Sequence, residues 1–149
     1  MKADLQTIVK ANNILLDKLA ELKDYYNEMP LINSKEEERY SKINKSENAK
    51  EYKNKYLLAT KEFKDRIILE SNNVNNTNYN KFVKKLVNNY AKVEDEYYML
   101  LNISKTSEMT ASLMFKCECK LDYLIENLSI INENVNSIEL DENQEMWQR

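Results

Sequence analysis

The chain has 149 residues, with 22 basic against 25 acidic side chains, a net charge of −3 and 32% charged residues. That length has room for one ordinary domain, and a pI near 5.2 argues against a dedicated nucleic-acid binder, whose usual footprint is strongly basic. A mean hydropathy of −0.73 leaves enough apolar residues for one stripe per helix, but few for a thick globular interior.

Glycine and histidine are absent and proline occurs once. Average usage of about 7% would give roughly ten glycines. Glycine supplies positive φ at tight turns at little steric cost, so a chain without it favours few, long elements. Its absence also removes every phosphate-cradling and dinucleotide-binding glycine loop. Histidine is the commonest general acid/base and the commonest metal ligand. The expectation is a non-enzymatic chain with no catalytic residue, no cofactor and no metal. No apolar run approaches bilayer length and the N-terminus carries no signal-peptide core. With Cys117 and Cys119 suited to a reducing compartment, the expected location is intracellular, in cytoplasm or nucleus.

Taken in chain order, the first predicted helix covers residues 3–29. Leu5, Ile8, Asn12, Leu15, Leu19, Leu22, Tyr26 and Met29 follow alternating spacings of three and four, a heptad seam. Asp4 suits the positive end of the helix dipole. Pro30 disfavours helical geometry at Met29 and ends the element. After a short connection, Ser34 followed by Glu37 reads as a capping box. It opens a second helix predicted over 35–70, and so short a connection favours an antiparallel hairpin spanning 1–70. The first half of that helix is polar nearly all round apart from Tyr40 and Ile43. It reads either as a solvated surface or as a stretch that orders against a partner. The second half carries a stripe of Tyr52, Tyr56, Ala59, Phe63 and Ile67.

Residues 71–78 form an asparagine-rich linker. Asparagine competes with the helix by local hydrogen bonding and is the best substitute for glycine at positive φ. Residues 79–139 then carry two seams: Val83, Leu86, Tyr90, Val93, Tyr97, Leu100, and after them Met114, Cys117, Leu121, Leu124, Leu128, Ile131, Val135, Ile138. The apolar phase slips between them, near 104–110. Two helices, or one strongly bent, are preferred to a straight rod, with Thr106 or Ser107 as a candidate cap. Residues 140–149 form an acidic tail in which Trp147 reads either as a docking anchor or as a side chain packing on its own bundle.

Few of the chemical motifs survive inspection. Cys117 and Cys119 lie about 200° apart on a helix, so both cannot face one ion; Cys117 falls on the seam and Cys119 off it. Glu36-Glu37-Glu38 and Glu94-Asp95-Glu96 fan outward as a solvated helix face does. The locally basic stretch 81–92, with Lys81, Lys84, Lys85 and Lys92 beside Tyr79, Phe82 and Tyr90, offers candidate nucleic-acid contacts at Lys81, Lys84 and Lys85. Asn12 on an apolar seam reads either as a device fixing register or as a solvated end. The ten tyrosines lie largely on the stripes and are expected at helix–helix contacts.

These readings converge on an all-α chain of three or four long helices, arranged as hairpins or coiled coil, with partner helices covering the seams. The expected role is a structural subunit or adaptor that binds other helical protein chains. The alternative is a helical nucleic-acid-binding accessory protein using residues 81–92.

Overall fold

The computed structural model describes residues 2–32 and 34–138, and among them it is all-helical, without strands. The five helices are α1 (Lys2–Glu28), α2 (Ser34–Lys45), α3 (Glu47–Asn72), α4 (Tyr79–Thr106) and α5 (Ala111–Val135). Trp147 and the tail 140–149 lie outside the described residues, as do Asn33 and the Ser34 side chain of the expected capping box.

The helix expected to run unbroken over 35–70 is interrupted at Ser46. This residue is extended (φ −76°, ψ 156°), and its hydroxyl accepts from the Ala49 amide at 3.1 Å while donating to the Ile43 carbonyl at 2.8 Å. One hydroxyl thus closes α2 and opens α3, the usual way a serine competes with helix continuation. The break turns the apolar face: Tyr40, Ile43, Tyr52 and Tyr56 all pack around Ala49, Phe115 and Cys119.

Two further local expectations are corrected. The start of α5 is capped by Thr110, whose hydroxyl accepts from the Leu113 amide at 3.2 Å, rather than by Thr106 or Ser107. The asparagine turn uses no positive φ, and none occurs among the described residues. Instead, side-chain carbonyls substitute for backbone partners. Asn75 Oδ1 accepts from the amides of Thr77 (2.9 Å) and Asn78 (3.2 Å), and Asn78 Oδ1 accepts from the Asn75 amide at 2.8 Å.

α5 organises the bundle. Leu121, Leu128 and Ile131 are fully buried on it, and Phe115, Cys119 and Ile130 are buried on other sides. A helix with apolar side chains buried on more than one side needs more than one neighbour, and α1, α2, α3 and α4 each pack against it. The hairpins expected from short connections are therefore not the packing units: α1 packs mainly on α5 and α4, and α3 mainly on α5. Cys119, expected off the seam, is buried because α5 has a second covered side facing α2 and α3.

Polar pairs fix direction. Asn12 meets Asn132 and Lys23 meets Asp122, so α1 runs antiparallel to α5. Asn89 meets Asn127 and Glu96 meets Lys120, so α4 does too. Tyr52 lies 5.7 Å from Phe115 and Tyr56 lies 5.3 Å from Tyr123 between ring centroids, so α3 runs parallel to α5. The path is up-down-up-down, with Ser46 bending the second limb.

Asn12 is 1% exposed and sits at a register-setting point inside one chain. Its amide donates to Asn132 Oδ1 at 3.0 Å, and the Asn132 amide donates to Asn13 Oδ1 at 2.9 Å. An apolar seam can slide by a turn, but a paired buried amide cannot without losing its partner. Replacing Asn132 by leucine is expected to lower stability by about 1–3 kcal/mol, the cost of stranding a buried amide. Replacing Asn12 and Asn132 together by leucine is expected to recover most of that loss. Urea denaturation midpoints at constant slope check both; a double variant as unstable as the single one would show that the pairing is not the cause.

Candidate protein-binding surface

The residues expected to form a partner-binding seam face inward. Leu5, Ile8, Asn12, Leu15, Leu19, Leu22 and Tyr26 of α1 are buried, as are Leu86, Val93 and Leu100 of α4. Met114, Leu121, Leu124, Leu128, Ile131, Val135 and Ile138 are buried too. What covers each of these stripes is another helix of the same chain. The expectation that partner helices must shield them is thereby corrected: α5 supplies the missing surface, because it carries buried apolar side chains on more than one side.

Only part of the α4 seam is core. Tyr79, Phe82, Leu86, Val93 and Leu100 form the buried line, while Val83, Tyr90 and Tyr97 are half-buried on the shoulder towards α1. That shoulder continues into a groove lined by Leu22 and Tyr25 of α1 and by Tyr97 and Leu101 of α4. Of the exposed large side chains that sequence reasoning passed over, Tyr25 (53%) lines this groove, while Ile14 (60%) on α1 and Val87 (49%) and Tyr98 (52%) on α4 lie off the buried lines of their helices. Each pair is eleven residues apart, three helical turns and hence one face. Tyr26 donates to the Leu100 carbonyl at 2.6 Å, which sets the last turns of α1 beside the Leu100 turn of α4. The two spacings therefore form a strip with two rungs about 16 Å apart. Tyr97 and Tyr98 meet edge to face at 5.2 Å. The signal was legible as a second eleven-residue spacing beside each seam, but nothing in the sequence distinguished it from chance.

The basic stretch 81–92 is split by the fold. Tyr79 and Phe82, expected to interleave with its lysines, are core residues. Lys81 and Lys84 are exposed, and Lys85 pairs with Glu70 of α3 at 3.2 Å. Lys85 and Lys92 line a groove of about 320 Å³ between α4 and α3, whose α3 wall carries Phe63 and Arg66. A third groove, about 540 Å³, lies between α3 and α1 over α5 and is lined by Tyr56, Leu57, Asp122 and Tyr123 among others.

The acidic clusters do not converge on a pocket. Glu37 and Glu38 are exposed, while Glu36 turns in to accept from the Ala111 amide at 3.1 Å and from Arg39 at 2.8 Å. It thus sits at the positive end of α5, where a carboxylate is favoured. Glu94 accepts from Tyr90 at 3.0 Å, Asp95 is exposed and Glu96 pairs with Lys120. No group of three or more potential metal ligands occurs among the described residues, and no described helix is long and apolar enough to cross a membrane.

Burial favours the neutral form of the interior thiols and phenols. Burial is the largest cause pushing up both thiols, Cys117 against α1 and Cys119 against α3, although Tyr26 beside the one and Lys53 near the other oppose it. An activated cysteine needs the opposite shift. Burial, then hydrogen bonding to Tyr56, pushes the Tyr52 phenol up to about 12 from 10.0. Burial and the Glu118 carboxylate push Tyr40 in the same direction. A phenol whose folded value is raised contributes stability fully present below the unfolded value and lost as pH climbs through the folded one. Stability is therefore expected to fall between about pH 10 and 12, and less steeply in the Tyr40→Phe/Tyr52→Phe variant; identical slopes for both chains in chemical denaturation would refute the assignment. Both thiols are expected to react with a disulfide reagent many-fold more slowly in the folded chain than in urea.

No protein-family model matches this chain, and neither does any curated protein or solved structure.

Proposed function

We propose that this chain is a non-enzymatic subunit or adaptor that binds a helix of another protein chain along the strip between α1 and α4. The observation that supports this most is the exposure of Ile14, Tyr25, Val87 and Tyr98 in two level rungs on a seam already lined by Tyr97 and Leu101. Apolar side chains scattered singly on a surface are ordinary, but contiguous ones mark contact sites. Tyrosine is suited to such a place, since it gives large buried area with a hydroxyl that stays hydrogen-bonded. A helix laid along the groove presents side chains at three- and four-residue spacing and matches a strip of this length. The flanking charges Lys18, Glu21 and Lys105 would then form a mixed rim around an apolar centre.

A second reading, nucleic-acid binding, is favoured by the exposed Lys81 and Lys84 and by Lys85 and Lys92 in the α3–α4 groove. Two sets of substitutions separate the readings. Tyr25→Asp with Tyr98→Asp is expected to leave helicity and thermal midpoint unchanged and to release a protein that co-purifies in defined stoichiometry. Lys81→Glu, Lys84→Glu and Lys85→Glu together are expected to leave that complex intact. If the lysine changes instead strip bound nucleic acid while the tyrosine changes alter nothing, the protein-binding reading fails. A purified monomer whose mass and behaviour neither set changes would remove both.

A further inference from the structure

Beyond the tyrosine strip, the groove between α3 and α4 differs from the rest of the molecule in charge. Arg66 lines it from α3, and Lys81, Lys85 and Lys92 line it from α4. Glu70 is the acid among its lining residues, and it is already paired with Lys85 at 3.2 Å. Four cations against one acid, in a chain with 22 basic and 25 acidic residues, is a local reversal of sign. The cations are also aligned. Asn78, Lys81, Lys85, Asn88 and Lys92 follow alternating spacings of three and four, which is one face of α4. That face runs for about 21 Å at 1.5 Å per residue. At its Asn78 end lies an apolar hollow of about 270 Å³, bounded by Leu69 of α3, Val74 of the asparagine turn and Phe82 of α4. Leu69 is 63% exposed there.

An occupant that fits is acidic along its length and apolar at one end. Nucleic acid supplies the charge but not the rest. Its bases bind by stacking on exposed aromatic faces. Here the Phe63 ring is buried with Arg66 over it at 5.2 Å, and Phe82 is buried too. The large apolar side chain left open to contact is aliphatic, Leu69. We propose that the α3–α4 groove is a second docking site, whose occupant is an acidic amphipathic helix of another protein. Its carboxylates lie over Lys81, Lys85 and Lys92, and one apolar side chain fills the hollow between Leu69 and Phe82, as a buried anchor does. A helix laid along α4 has the same rise per residue, so acids spaced four and then seven apart meet the three lysines in turn. About four turns of it fill the groove. The site is separate from the α1–α4 strip, because Lys92 and Tyr97 point about 140° apart around α4.

The probe is a displayed library of random peptides of about 15 residues, the length of the groove. It is panned on the full chain and, in parallel, on the Lys81→Glu/Lys92→Glu variant. Peptides enriched on the unaltered chain alone are expected to carry acids at spacings of four and seven and a bulky apolar residue near one end. A synthetic peptide of that sequence is expected to bind the unaltered chain at least about ten-fold more tightly than the Lys81→Glu/Lys92→Glu or the Leu69→Asp variant, with helicity retained in both. Its binding is expected to weaken as salt is added. Replacing the two outer acids of the peptide by lysine is expected to restore binding to the charge-reversed variant. A library that enriches no acidic peptide overturns the proposal, as does one that enriches the same peptides on both chains. A single-stranded oligothymidylate that displaces the peptide and is indifferent to Leu69→Asp assigns the groove to nucleic acid and overturns it too. Failure of the charge-exchanged peptide to bind the charge-exchanged chain, with helicity intact, overturns the pairing.

Discussion

α5 carries buried apolar side chains on two sides, while Lys116, Asp122, Glu126 and Glu133 stay exposed, and the rest of the molecule is arranged to keep water from those two sides. Leu121 and Leu128 face α1 and α4, while Phe115 and Cys119 face α2 and α3. No single flanking helix can cover both sides, so an amphipathic helix is required on each. The other four helices have what this demands, one apolar stripe each and a charged back. Burial of this kind is non-directional and proportional to area. It explains why five helices associate, but not which residue of one meets which residue of the next.

Polar groups inside the bundle supply that information. Asn12 with Asn132 and Asn89 with Asn127 tie α1 and α4 to α5 through paired amides, the latter reciprocal at 2.8 and 3.2 Å. Tyr26 closes α1 on the Leu100 carbonyl. At the same end, Ile32 donates to the Met109 carbonyl at 3.1 Å, joining the α1–α2 and α4–α5 connections. Glu36 accepts from the first amide of α5, so the start of α2 helps to cap a helix 75 residues later in the chain. Each contact is worth little in net stability, but a shifted register would strand its buried groups at a much larger cost.

The surface features follow from the same arrangement. α3 packs on α5 rather than on α1 or α4, so grooves remain on both of its flanks. α1 and α4 pack on each other, and the side chains just outside their contact form the tyrosine-bearing strip. The outer faces are therefore not uniform: one seam is aromatic, one groove is basic over an apolar floor, and both are by-products of four helices meeting around one.

The helical class, the end of α1 at Pro30, the asparagine-rich turn and the phase slip near 104–110 were legible in the sequence, because they depend on local rules. Proline removes a donor, asparagine competes with the backbone, and apolar spacing of three and four marks a helix face. The buried identity of the α1 and α5 seams was also legible, since a stripe of that width does not stay in water. What covers a stripe is another matter. One helix seam looks the same whether its partner is a neighbouring chain or a segment a hundred residues away, and only the tertiary structure decided for α5. The same holds for Ser46, whose hydroxyl ends one helix and starts another where a mid-helix serine would also have been tolerated. It holds for Cys119 and Ile14 as well. Each lies off the main seam, and the first is buried and the second exposed solely by which helix sits beside it.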